Sequence, residues 1–454
     1  MANEIGTEMG TEILTLLNGD ARQIASLREQ LEQANTADIA ELFEETSKDE
    51  SIRLFRLLPK HKAADVFSFI SPEIQQRIVE GLSDTEVGAI MNDLFIDDLV
   101  DFIEEVPAEV VSRTLSSVDS DKRRLVNQIL RYPKDSAGSV MTTEFVQLQY
   151  DHTVRQALDD IRETGVDKET IYTCYVVKPD RSLIGSISAD TLIHADPRAK
   201  VGDIMETNVI SALTTDDREV VVGLFSRYGL MAMPVVDHDN QLVGIVTIDD
   251  VIQIIEEETT EDFEKMAALN PSDDTYLKTG VFRQTRNRLG WLMVLMLSDT
   301  INGSLISSFE DSLAVLPFLV AFIPMLMDAG GNASVQTSTV VIRGMALDEI
   351  SFKDTAKVLW TEMRVGLVCG LGLGLANFVR IFLMNGQDAL LSLVVTASLC
   401  LGLVVAKTLG CLLPIGAKKL RLDPAVLAAP FLTTIVDFTT LFIYFMIVRL
   451  IYQI

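Results

Sequence analysis

Cysteine is scarce in this chain of 454 residues: there are four, Cys174, Cys369, Cys400 and Cys411. Three lie inside apolar runs and none is spaced as a zinc ligand, so neither a disulfide framework nor a zinc site is implied. Basic side chains are outnumbered, 38 Lys and Arg against 65 Asp and Glu, for a net charge of -27, and that sign disfavours a binder of DNA or RNA phosphates. No nucleophile with a neighbouring base and no phosphate-cradling glycine loop is present, which makes an enzyme the least supported class. The first thirty residues lack a basic leader followed by an apolar core. With no cleavable signal, the N-terminus is expected to stay in the cytosol.

The mean hydropathy is nevertheless positive, +0.27, which conflicts with so much charge in one soluble domain. Dividing the chain resolves the conflict. Residues 281–454 carry 13 basic and 11 acidic side chains, leaving 25 against 54 before them, so the first part sums to -29 and the last to +2. An acidic soluble assembly followed by an apolar, nearly neutral region is the pattern of a cytosolic part joined to a membrane domain.

From about residue 36 to 132 the pattern predicts a train of short amphipathic helices, with breaks at Leu58-Pro59, Ser71-Pro72, Ser83-Asp84 and Val106-Pro107 at roughly twelve-residue intervals. Comparable segments open at Pro59 and Pro107, as in stacked helical hairpins that bury a face only against their neighbours. Leu54, Phe55, Val66, Phe67, Phe69, Ile70 and Ile78 are read as core. Residues 136–258 hold a second repeat, Ser139 onward aligning with Asp203 onward, so that Met141 falls on Met205, Gly185 on Gly244 and Asp190 on Asp249. Each copy alternates helix-period and strand-period segments. This repeat resembles a tandem of CBS motifs, a family in which a Ser or Thr and an Asp three residues on grip a ribose. The second copy has that pair, Thr247 and Asp250; the first has Thr191 three after Ser188. The resemblance therefore implies one adenosine cleft, with ATP as a regulatory ligand.

An acidic helix follows, with Glu256, Glu257, Glu258, Glu261 and Asp262, broken at 271–274 before the first apolar stretch. The preceding domain adds Asp93, Asp97, Asp98, Asp101, Glu104, Glu105, Asp216 and Asp217. Bringing such surfaces together costs repulsion that hard divalent cations relieve, since Mg²⁺ prefers carboxylate oxygen and retained water. Five apolar stretches come next: 289–309 with Asp299, 312–342 with Asp328, 365–383 with Arg380, 389–417 with Lys407, and 424–448 with Asp437. The second is too long for one straight span, and Gly330-Gly331 is its expected interruption, with Asn332, Ser334 and Gln336 beside it as oxygen ligands. Arg283, Arg286, Arg288, Arg343, Lys353, Lys357, Lys418, Lys419 and Arg421 cluster on one set of connections, while "EDS" and "NGQD" on the other have none; this bias keeps the N-terminus cytosolic and puts the C-terminus outside. A mid-span acid is functional by default, and Asp437 is the only charge of the fifth stretch.

Acidic helical repeats, a CBS pair, an acidic connecting helix and five spans carrying "GGNASVQTSTVVIRG" and "LDPAVLAAPFLTTIVD" resemble the MgtE magnesium channel family along nearly the whole chain. The fold class expected is multidomain: a solenoid-like α-helical N domain (1–135), an α/β tandem CBS domain (136–258), a connecting helix (259–283) and an all-α membrane domain of five spans (284–454). The resemblance implies a homodimer in a bacterial plasma membrane, with an axial pore lined by the second and fifth spans and a hydrated Mg²⁺ held at Asp437 beside Asn332. It also implies closure by cytosolic Mg²⁺ at Asp250, Glu258, Glu261, Asp262 and Asp423. Ala429, Gln253, Asp299, Asp328 and Lys407 depart from the family pattern. Lys407 calls for a counter-charge, and Asp299 or Asp328 is the partner expected from the sequence. Oxygen ligands leave Mg²⁺, Mn²⁺ and Co²⁺ open as cargo. Two other readings stand beside the channel: proton- or sodium-coupled exchange through Asp299, Asp328 and Lys407, and a membrane-anchored sensor without transport.

Overall fold

The computed structural model describes residues 17, 21–44, 46–272, 276, 279–347, 349–384, 389–426 and 430–453. Ala429, the 385–388 connection and Asp274 lie outside them. The chain divides into two compact units, Met1–Ile255 and Glu256–Ile454.

The first unit opens with α1 (Ala21–Gln33) and α2 (Thr36–Glu44). Seven helices of ten residues follow: α3 (Lys48–Leu57), α4 (Lys60–Phe69), α5 (Pro72–Gly81), α6 (Asp84–Asp93), α7 (Ile96–Glu105), α8 (Ala108–Ser117) and α9 (Ser120–Ile129). Local chemistry sets this pitch. Ser47 with Glu50 and Ser83 with Glu86 form capping boxes, Pro59 and Pro107 occupy N-cap positions, and Pro72 opens α5 at its first turn. Helices pack on their next-but-one neighbours, α2 on α4, α3 on α5 and α6 on α8. Phe43, Phe55 and Phe67 recur every twelve residues and meet edge to face at 6.2 and 6.1 Å, with Phe102 closing the row 5.3 Å from Phe67. Phe69 is not core as expected: it is 62% exposed. Two residues beyond Phe67 is more than half a turn around the helix, so both cannot face inward.

Residues 136–255 form two three-stranded sheets. β1 (Phe145–Gln149) runs parallel to β2 (Thr170–Val177), which pairs antiparallel with β3 (Leu183–Ser188). β4 (Ala212–Leu213), β5 (Ala232–Val236) and β6 (Leu242–Thr247) repeat that order, and each copy carries its own helix, α10 (Val154–Thr164) and α13 (Arg218–Tyr228), with the short α11 (Ala189–His194) and α12 (Val201–Ile204) between them. The copies clasp reciprocally: Thr142 bridges Ile245 and Ser186 bridges Glu206. Gly244 lies against the Met141 side chain and Gly185 against Met205, so close that a Cβ at either glycine would overlap the thioether. The aligned Met and Gly pairs of the repeat are thus the two halves of one crossed contact.

In the second unit the end of α14 (Ile248–Met266) packs Met266 against Val341, Ile342 and Met345. Five apolar helical stretches long enough to cross a bilayer follow. They are α15 (Val281–Ser308), a short α16 (Glu310–Val315) and 3₁₀ turn (Pro317–Phe322) leading into α17 (Ile323–Ala346), then α18 (Thr355–Met384), α19 (Ala389–Lys419) and α20 (Pro430–Tyr452). α19 is central, touching α17, α18 and α20, while α15 lies on α20. The expected interruption at Gly330-Gly331 does not occur. The chain breaks earlier, at Leu316-Pro317, where proline supplies no amide donor, and α17 runs unbroken through both glycines. Gly330 instead permits close packing, since a Cβ there would come within 2.8 Å of Thr440 Oγ1 on α20. The fifth helix begins at Pro430 rather than at 424, and the third extends back past Val365 to take in Glu362.

Candidate functional site

On α17, residues 328, 332, 336 and 339 share one face at helical spacing. Asp328, Asn332, Gln336 and Thr339 are all exposed in the protomer, whereas Gly330, Gly331, Ala333, Ser334, Thr337 and Ser338 are buried on the other side. A polar stripe of this length does not face lipid; it lines a wet passage or meets protein. Beside the stripe, Asp437 of α20 completes a cavity of about 210 Å³ with Asp328, Gly331, Asn332 and Thr433. The Asn332 amide donates to Asp328 at 3.0 Å, and the Asn302 amide donates to Asp299 at 3.3 Å. Asp299 and Asp328 both lie within electrostatic reach of Asp437.

Lys407 does not pair with either of those acids, contrary to the expectation from sequence. Its side chain, 7% exposed, points to the junction of α17, α18 and α19. There the Thr337 hydroxyl accepts from Lys407 Nζ at 3.2 Å and donates to Glu362 at 2.7 Å, with Nζ 3.9 Å from the same Glu362 oxygen. Gly366 and Gly410 make room for this junction: a Cβ at Gly366 would meet the Val404 backbone at 3.0 Å, and one at Gly410 would meet Thr337 Cβ at 3.1 Å.

The first unit gathers a second group of carboxylates. Thr247 donates to Asp250 at 2.7 Å, and the corresponding place in the first copy holds a Ser188–Thr191 hydroxyl pair at 2.8 Å. Burial and the charge of Asp250 hold the Asp97 carboxyl well above the usual range. Burial followed by Asp250 and Asp249 pushes Asp98 up to about 7, and burial followed by Asp249 and Asp250 pushes Glu169 up to about 8. Asp250 rises to about 6, mainly by burial, with the Thr247 hydrogen bond opposing. Lys122 approaches these acids, but its ammonium is partly committed to the main-chain oxygens of Asn92 and Leu94. Uncompensated acids so placed favour protons or a cation.

In the second unit Lys265 Nζ stands between Glu261 and Asp423, 2.8 Å from each. Burial lowers the Lys265 pKa, but the hydrogen bonds from Asp423 and Glu261 outweigh it and hold the ammonium well above its ordinary value. Asp262 is raised by burial and then by Asp423, with Glu258 also acting on it. Of the four acids expected here, Glu261 and Asp423 hold one lysine, Asp262 lies within its electrostatic reach, and Glu258 acts on Asp262. Among the described residues no three metal-ligating side chains converge on a single point, so a dication at any of these places would keep part of its water.

Glu169, Glu362 and Lys265 were not singled out in the sequence. Only Lys265 carried a local signal, the i,i+4 spacing from Glu261.

Family profiles match the chain in order: "MgtE intracellular N domain" over residues 34–135, "CBS domain" over 137–198 and 201–257, and "Divalent cation transporter" over 323–447. The magnesium transporter MgtE of Thermus thermophilus is 35% identical over 441 residues, 96% of this chain and 97% of that protein. The chain belongs to the MgtE family. The Bacillus subtilis magnesium transporter MgtE agrees at 34% identity over 95% of both chains. Among MgtE structures, the cytosolic domain of the Mg²⁺ channel MgtE in complex with ATP superposes with a TM-score of 0.51 at 37% identity, covering 54% of this chain and 99% of that one. The soluble part of a magnesium transporter gives 0.52 at 28% identity, covering 56% and 99%. Helical repeats, a CBS pair and a multi-pass membrane region are thus the MgtE arrangement in this chain.

Proposed function

We propose that this protein is a magnesium channel or uniporter that takes Mg²⁺ across a bacterial plasma membrane. The observation that carries the proposal is the exposed polar face of α17 joined to the half-buried Asp437: acids and carboxamides at mid-span, in a family of magnesium transporters. A second copy of the chain closes that face, making a homodimer whose pathway runs between the two. Asp437 attracts the ion, Asn332 contributes a carbonyl oxygen, and Mn²⁺ or Co²⁺ enters the same oxygen site less selectively. The N-terminus is cytosolic. There, Mg²⁺ at the Asp97–Asp98–Asp250 group and at Glu258, Glu261, Asp262 and Asp423 favours the closed state. ATP held by Thr247 and Asp250 modulates that response without being hydrolysed.

Reconstituted in liposomes, the full chain takes up Mg²⁺, and Asp437→Ala loses uptake while inserting and dimerising normally. Removing the one acidic side chain of α20, at mid-span, lowers its membrane cost, so the loss is one of ion attraction and not of folding. Wild-type flux in Asp437→Ala overturns the proposal.

A further inference from the structure

Building on the reading that Asp437 holds the permeating ion, we infer that Asp328 is a second charge of the same ion site and sets its preference for cations of higher charge. Asp328 lines the cavity that Asp437 lines, one helical turn before Asn332. A carboxylate only accepts hydrogen bonds, so the Asn332 group facing it at 3.0 Å is the NH₂. The carbonyl oxygen of Asn332 is then left for a cation. Asp328 thereby supplies one charge and orients one neutral ligand. Lys407, the counter-ion expected from the sequence, is committed to Thr337 and Glu362, and Arg380 is held by Asn377 and Met325, so neither is paired with Asp328. An intramembrane carboxylate without a fixed cation is costly unless a mobile one visits it.

The size of the cavity agrees with its charge. The 210 Å³ present is several times the roughly 30 Å³ that one water occupies in the liquid, so a dication can enter with waters still bound. Attraction scales with the product of charges, so a second carboxylate stabilises a dication twice as much as a monovalent ion and a trication three times as much. Asp299 lies within electrostatic reach but does not line the cavity; its contribution is weaker.

The test uses the full-length protein in liposomes, comparing wild type with Asp328→Asn, Asp328→Glu, Asp299→Asn and Asp437→Asn. Half-saturating Mg²⁺ is measured, together with inhibition by hexaamminecobalt(III), an exchange-inert trication the size of a hydrated dication. Asp328→Asn is expected to raise half-saturating Mg²⁺ about tenfold and to weaken the trication by a larger factor, as one lost charge requires. Asp328→Glu stays within about twofold of wild type and Asp299→Asn falls between. A merely structural role would lower flux without ordering the losses by ligand charge. Unchanged half-saturation in Asp328→Asn, or equal losses for the two cations, overturns the inference; so does a larger shift in Asp299→Asn than in Asp328→Asn. Wild-type uptake in Asp437→Asn instead overturns the reading on which it rests.

Discussion

At Lys407 an ammonium sits inside the membrane region with its charge balanced across two other helices. The 3.9 Å separation from Glu362 is long for an ion pair, and the Thr337 hydroxyl bridges the two by accepting from one and donating to the other. Such a triad is more costly to break by halves than to remove whole, because truncating one partner strands a buried charge. Lys407→Met is therefore expected to destabilise the membrane region by about 3 kcal/mol, and adding Glu362→Gln to recover much of the loss. Thermal unfolding in detergent of both single variants and the double variant measures this coupling. Additive effects would mean that Lys407 is neutralised by something other than Glu362. The pairing is not legible in the sequence: Glu362 lies 45 positions before Lys407 and just outside the apolar stretch that begins at Val365. A membrane helix is longer than its apolar part, and the polar turns at its ends are where partners for buried charges are found.

Elements, by contrast, were legible wherever punctuation and period agreed. Pro and Ser at twelve-residue intervals gave the pitch of α3 to α9, and the Met–Gly alignment gave both CBS copies. Gly330-Gly331 misled because glycine signals weakness in an isolated helix, whereas between packed membrane helices it allows backbones to approach. The acidic group was half visible: Asp97 and Asp98 stood out as uncompensated and Asp250 through the CBS and MgtE resemblances, while Glu169 became relevant only when folding placed it beside them. That group makes the soluble region sensitive to pH in a definite direction. Unfolded carboxyls titrate near pH 4, while Asp250, Asp98 and Glu169 titrate at about 6, 7 and 8 when folded. Between pH 4 and 8 the folded state binds more protons than the unfolded one, so stability falls as pH rises through that window. Without Mg²⁺, the melting temperature of the protein's soluble region should decline from pH 5 to 8. Millimolar Mg²⁺ should restore it most at the high end, where the carboxylates are free to bind. A melting temperature that rises across this window would show that these acids are already compensated by the protein.

For the molecule as a whole, Asp250 stands in both of the ligand sites proposed for the first unit. It accepts from Thr247 in the second CBS copy, at the place where that family grips a ribose, and its charge acts on Asp97 and Asp98. ATP there would hold Asp250 ionised and bring phosphate charges to an already acidic region, so each effect strengthens attraction for Mg²⁺. The coupling is therefore positive: ATP lowers the Mg²⁺ concentration that closes the pathway, and Mg²⁺ tightens ATP by the same factor, since linkage is reciprocal for binding free energies. A factor of about 5 to 50 lies within the usual range of such couplings. Protease protection of the full chain titrated with Mg²⁺, with and without ATP, gives one side of the cycle, and calorimetric ATP titrations at fixed Mg²⁺ give the other. Thr247→Val should remove the ATP effect while leaving the Mg²⁺ titration in place, because it deletes a hydroxyl but no charge. Absence of ATP heat at every Mg²⁺ concentration would leave Asp250 a cation ligand alone, and unequal factors would mean that the two ligands do not act on one shared equilibrium.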